Sequence, residues 1–68
     1  MRIFVNDEPR EVNAGEATLA ALMAASGLPS LDGVAVAVND GVVPRPAWAD
    51  RTLNAGDRVL VIRATQGG

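Results

Sequence analysis

Sixty-eight residues, 49% hydrophobic and 21% charged, allow one small folded domain with a thin core and exclude a large enzyme carrying its own deep cleft. Cysteine and histidine are absent, which removes disulfides, thiolate and imidazole metal sites, a thiol nucleophile and the commonest general base. Six arginines against eight acids leave a net charge of -2 and no basic stripe, so nucleic acid is not an expected partner.

Arg2-Ile3-Phe4-Val5 alternates faces at the period of a strand, Asn6-Asp7-Glu8-Pro9 carries turn residues, and Arg10-Glu11-Val12 is the expected return strand of a hairpin. From Thr18 the period changes. Leu19, Leu22 and Met23 fall on one helix face, while Ala20, Ala21, Ala24 and Ala25 supply helix propensity. Thr18 suits the N-cap with Glu16 just ahead of it, and Gly27 suits the left-handed position that ends helices, followed by Leu28 and Pro29. Val34-Ala35-Val36-Ala37-Val38 is a strand bounded by Gly33 and by the turn Asn39-Asp40-Gly41, which leads into Val42-Val43 as a second hairpin. Pro44 and Pro46 make the next stretch irregular. Asn54-Ala55-Gly56-Asp57 reads as a tight turn, and Arg58 to Arg63 as a final strand rich in valine, leucine and isoleucine.

The order strand, strand, helix, strand, strand, strand predicts an α+β domain over residues 1–63, in which a mixed sheet of four to five strands packs on one helix. The expected core is Ile3, Val5, Val12, Leu19, Leu22, Met23, Val36, Val38, Leu53, Val59 and Val61. Residues 64–68, Ala-Thr-Gln-Gly-Gly, are expected as a flexible C-terminal tail. No apolar run approaches the ~18 residues of a membrane span, and none of signal-peptide length follows Met1-Arg2. The expected setting is therefore the cytoplasm, with no membrane partner.

That tail is the chemically distinctive element. Glycine lacks a Cβ, so an extended Gly67-Gly68 end threads a channel too narrow for other residues and presents a bare carboxylate. The five residues beyond Arg63 reach at most roughly 17 Å when fully extended, enough to enter a nucleotide cleft on another protein. A carboxylate is a poor electrophile until it is joined to a good leaving group such as AMP. Gly27, Gly33 and Gly41 match neither a P-loop nor a dinucleotide fingerprint, so no bound cofactor is expected and ATP belongs to the activating partner. The chain reads as a substrate or carrier whose own terminus reacts.

The stretch Val38-Asn39-Asp40-Gly41-Val42-Val43-Pro44-Arg45-Pro46-Ala47-Trp48, then Ala55-Gly56-Asp57-Arg58-Val59 and the terminal Gly67-Gly68, resembles the ThiS-type sulfur carriers of thiamine biosynthesis. The similarity spans nearly the whole chain, although Thr65-Gln66 stand where that family commonly has small or apolar residues. The resemblance implies a ubiquitin-like β-grasp fold. It also implies a cycle in which a ThiF-type adenylyltransferase adenylates the carboxylate of Gly68, sulfur replaces one oxygen to give a thiocarboxylate, and a ThiG-type thiazole synthase consumes it. On this reading the chain is a co-substrate and not an enzyme, with no catalytic residue and no metal. The alternatives are a MoaD-like small subunit of molybdopterin synthase and a ubiquitin-like protein modifier. Lysine is absent, which forbids self-linked chains through side chains but not single attachment to a target.

The final strand carries apolar residues on both faces, Val59 and Val61 on one and Leu60 and Ile62 on the other, while one helix covers only one side. Spacing alone does not decide which pair faces outward. The resemblance assigns Leu60 and Ile62 to partner binding, against the activating enzyme. Trp48 is expected to pin the irregular connection onto the core, and Arg45 to hold its own loop. Asn39, Asp40, Gly41, Gly56 and Asp57 are explained by turn geometry. Asp7, Glu8, Glu11 and Glu16 form a solvated acidic face with no acid/base pair among them.

Overall fold

A computed structural model of the chain describes residues 1–13, 17–28 and 30–63. Its elements are β1 (Arg2–Val5), β2 (Glu8–Glu11), α1 (Leu19–Ala24), β3 (Val34–Val38), β4 (Gly41–Val42), a 3-10 helix (Arg45–Asp50) and β5 (Arg58–Arg63). The sheet runs β2-β1-β5-β3-β4. β1 pairs in parallel with β5 at the centre, and the other pairings are antiparallel. The first and last strands therefore meet side by side, and the sequence between them supplies both edges and the helix.

Both hairpins close through two residues that take the left-handed conformation themselves: Asn6 and Asp7 at φ 50° and 68°, Asn39 and Asp40 at φ 50° and 71°. Such turns match the twist of the strands they join, and asparagine and aspartate tolerate positive φ better than other non-glycine residues. The turns are tighter than the sequence predicts. Glu8 and Pro9 belong to β2, and Gly41 belongs to β4 opposite Val38. Met1 and Val12 exchange both backbone bonds, at 2.8 and 2.9 Å, so in the alternation of the ladder Pro9 falls opposite Phe4 where no bonds are exchanged. Its missing N–H removes no rung, and β2 is an edge strand.

Thr18 caps α1 as expected: its backbone is extended and its Oγ1 accepts from the Ala21 N–H at 3.1 Å. Gly27, at φ 79°, takes the left-handed position beyond the helix. Glu16 and Pro29, expected to flank it, lie outside the described residues. The chain returns to the start of α1 after the 3-10 helix, where Leu19 N–H donates to Arg51 O at 2.9 Å and Leu53 N–H to Ala17 O at 2.7 Å.

The core lies between α1 and one face of the sheet, built from Ile3, Ala17, Leu19, Leu22, Met23, Val36, Val38, Trp48, Leu53 and Val59. Val5, Val12 and Val61, expected inside, are half-buried and pack against its margin, because each lines an open groove along the flanks of α1, Val12 beside Ala21 and Leu22, Val5 and Val61 beside Leu22 and Met23. Ala17 and Trp48 fill the remaining volume. Trp48 does so from the 3-10 helix, where the sequence showed only irregular chain, and its indole N–H donates to Val43 O at 2.8 Å. Arg45 lies 5.9 Å over the Trp48 ring and 3.5 Å from the Asp32 carboxylate, so it braces the connection through a side chain rather than through the loop's own carbonyls.

Candidate functional site

The face of the sheet turned away from α1 is the candidate site. In β5, Val59 is buried and Val61 half-buried, while Leu60 and Ile62 are 49% and 52% exposed on the opposite face. The structure thus resolves the ambiguity of the last strand in favour of Leu60 and Ile62 as the outward pair. Their exposure follows from their neighbours. On one side they stand opposite Ala37 and Ala35 of β3, whose short side chains give little lateral cover. On the other side β1 ends at Val5, beside Val59, so no strand residue flanks them.

Phe4, Ala37, Val42, Leu60 and Ile62 line a shallow depression of about 450 Å³ on this face, whose polar lining is Arg58 and Asp40 together with Asn6 and Asp7 of the first hairpin turn. Val42 is 74% exposed, the most open large apolar side chain described. Phe4 and Val42 were not singled out from the sequence. The signal for Phe4 was present in the alternation, since Ile3 inside places Phe4 outside. Val42 shares the face because it pairs with Ala37, a register that the sequence does not display. Two exposed ion pairs sit at the margins, Arg58 with Asp40 at 3.2 Å and Arg2 with Glu11 at 3.1 Å. Such pairs add little stability, but they neutralise the charges beside the apolar stripe.

The start of β5 is fixed by side chains from the β3–β4 turn and from the turn that precedes it. Asn39 Oδ1 accepts from Arg58 N–H at 2.9 Å, its Nδ2 donates to Asp57 Oδ1 at 3.0 Å, and Asp57 Oδ2 accepts from Asn54 N–H at 2.8 Å. Asp57 is buried, so these bonds replace the water its carboxylate would otherwise have. Asn39 and Asp57 do more than make turns: they tie two turns together beneath Arg58.

Gly67 and Gly68, the expected reacting end, lie with the whole of residues 64–68 outside the described residues. The strand that leads to them ends at Arg63, one residue after Ile62, so the apolar face and the root of the tail are continuous. Among the described residues no group of three or more acidic side chains is placed to hold a metal ion, and no helix is long and apolar enough to cross a membrane.

Comparisons with known proteins agree on one family. The model of the ThiS family matches residues 3–68. The sulfur carrier protein ThiS of Escherichia coli (strain K12) is 35% identical over 72 aligned positions, which cover 100% of both chains. The crystal structure of the thiamine biosynthesis protein ThiS from Geobacter metallireducens superposes with a TM-score of 0.83 at 29% identity, covering 100% of both chains. A solution structure of a thiamine biosynthesis protein from the same organism gives 0.77 at 29% identity, covering 100% of this chain and 88% of the other. The mixed five-stranded sheet on one short helix is the ubiquitin-like β-grasp fold. With a family match over nearly every residue and a relative aligned along its full length, the chain belongs to the ThiS family.

Proposed function

We propose that this chain is a sulfur carrier of thiamine biosynthesis that works through the carboxylate of Gly68, and that a ThiF-type adenylyltransferase and a ThiG-type thiazole synthase are its partners. The supporting observation is the placement of an exposed apolar face, centred on Leu60 and Ile62, at the root of a Gly-Gly tail in a ThiS-family chain. The partner enzyme grips the folded body by that face, and the tail reaches into its nucleotide site.

A Gly68 carboxylate oxygen attacks the α-phosphorus of ATP held by the partner, pyrophosphate leaves, and an acyl adenylate forms. Hydrosulfide supplied by the sulfur donor then attacks the acyl carbon, AMP departs with the bonding pair, the S–H proton passes to solvent, and a thiocarboxylate remains. Its sulfur is a soft nucleophile, and tethering it to a folded protein delivers it to the next enzyme at high effective concentration. In this cycle the chain is a co-substrate, binds no cofactor of its own, and works in the cytoplasm where ATP and its partners are. Mixing the chain with a ThiF-type enzyme, ATP and a sulfur donor and recording the intact mass tests this. A gain equal to exchanging one oxygen for sulfur supports the carrier. Covalent ladders with other proteins indicate a modifier, and an unchanged mass indicates an interaction module whose tail does no chemistry.

A further inference from the structure

The parallel ladder between β1 and β5 continues one rung past the end of β1, through a side chain. Phe4 N–H donates to Asp57 O and Asn6 N–H to Val59 O, both at 2.9 Å, which is the regular two-residue progression of parallel strands. The next rung would join Val61 N–H to the carbonyl of residue 6. At Asn6 the backbone has turned into the left-handed conformation, φ 50°, to begin the hairpin. The Asn6 side chain supplies the missing acceptor: Val61 N–H donates to Asn6 Oδ1 at 2.8 Å, between residues 55 positions apart.

The geometry points to Asn6 as the positioning residue for the reacting tail, an inference that rests on the carrier reading above. From residue 60 onward β5 has β3 on one side and no strand on the other. The Asn6–Val61 bond is the one hydrogen bond described that holds this stretch from the β1 side, two residues before the strand ends at Arg63. Together with the β3 pairing, which runs to Arg63, it fixes the course of the strand from which residues 64–68 continue. Position 6 meets two demands at once, a positive φ and a carbonyl within reach of Val61. Glycine meets only the first, and aspartate meets both.

Asn6→Gly and Asn6→Asp therefore separate the anchor from the turn. Losing one ordinary hydrogen bond corresponds to about a fivefold change in a local opening equilibrium. In Asn6→Gly, amide hydrogen exchange at Val61 is expected to rise by about that factor while exchange in β1 and α1 is unchanged. In pyrophosphate release with a ThiF-type enzyme and ATP, kcat is expected to fall about fivefold with KM for the carrier held within about twofold, because Leu60 and Ile62 at the centre of the docking face are untouched and Asn6 lies only at its edge. Asn6→Asp is expected to restore both readings. Unchanged Val61 exchange in Asn6→Gly, a rise in KM with kcat kept, or no recovery in Asn6→Asp would each overturn the inference. If the unsubstituted chain releases no pyrophosphate at all, the carrier reading fails and its kinetic consequence with it, whereas the Val61 exchange rate still decides whether the anchor exists.

Discussion

Asn39 and Asp57, on separate turns 18 residues apart, are joined by a 3.0 Å hydrogen bond from Nδ2 to Oδ1, and through it the β3–β4 hairpin is locked to the entrance of the strand that leads to the tail. Asp57 is the one buried charged residue described. Its carboxylate accepts from Asn39 and from the Asn54 backbone, so removing it strands two donors.

Asp57→Ala is expected to destabilise the fold by about 2–3 kcal/mol, the range for bonds to a charged group that are lost without replacement. For a domain of this size that lowers Tm by roughly 10–20 °C, read by circular dichroism. A fall of under about 4 °C would show that water takes over both bonds.

Thr18→Ala removes the acceptor for the Ala21 N–H at the start of a helix that is only 6 residues long. The expected loss is about 1 kcal/mol, or roughly 4–8 °C in Tm. Thr18→Ser keeps the oxygen and is expected to recover most of it, which thermal melts of the two variants would show.

Trp48 is 4% exposed, and its indole N–H is bonded to Val43 O at 2.8 Å. Total stability for a chain of this length is roughly 3–10 kcal/mol, so Trp48→Ala risks unfolding it and Trp48→Phe is the informative change. It loses one bond and part of the ring volume, an expected cost of about 2 kcal/mol in urea titration. The native protein's tryptophan fluorescence is expected to lie at short wavelength and to shift red on unfolding.

Leu60→Asp with Ile62→Asp places two charges on the exposed face without entering the core. Calorimetric titration with a ThiF-type enzyme, the proposed partner, is expected to show affinity weakened at least about a hundredfold, as for loss of central apolar contacts. The melting curve should fall by no more than the roughly 1 kcal/mol per site that aspartate costs in a strand. Unchanged affinity would move the docking surface elsewhere.

Much of this architecture is written in short-range pattern. The three-and-four spacing of Leu19, Leu22 and Met23, the Thr18 cap and the Gly27 terminus specify α1 locally, and the aliphatic run from Arg58 to Arg63 specifies β5. Local propensity misled at Pro9, which reads as a turn residue until it is known to lie on an edge, opposite a position that exchanges no bonds. It also missed the 3-10 helix, because two prolines flanking Arg45 hide a short turn that Trp48 stabilises from inside the core. Long-range roles were the least legible. Nothing near Asn6 announces Val61, and nothing near Asn39 announces Asp57, because each partnership exists only once the sheet is assembled.

The most direct test of the account is to load the full chain with sulfur using a ThiF-type enzyme, ATP and a sulfur donor, and to fragment the product in a mass spectrometer. The added sulfur is expected on the fragment ending in Gly68, and a chain prepared with that carboxylate converted to an amide is expected to take up none. Sulfur found on any other residue, or equal uptake by the amide, would contradict it.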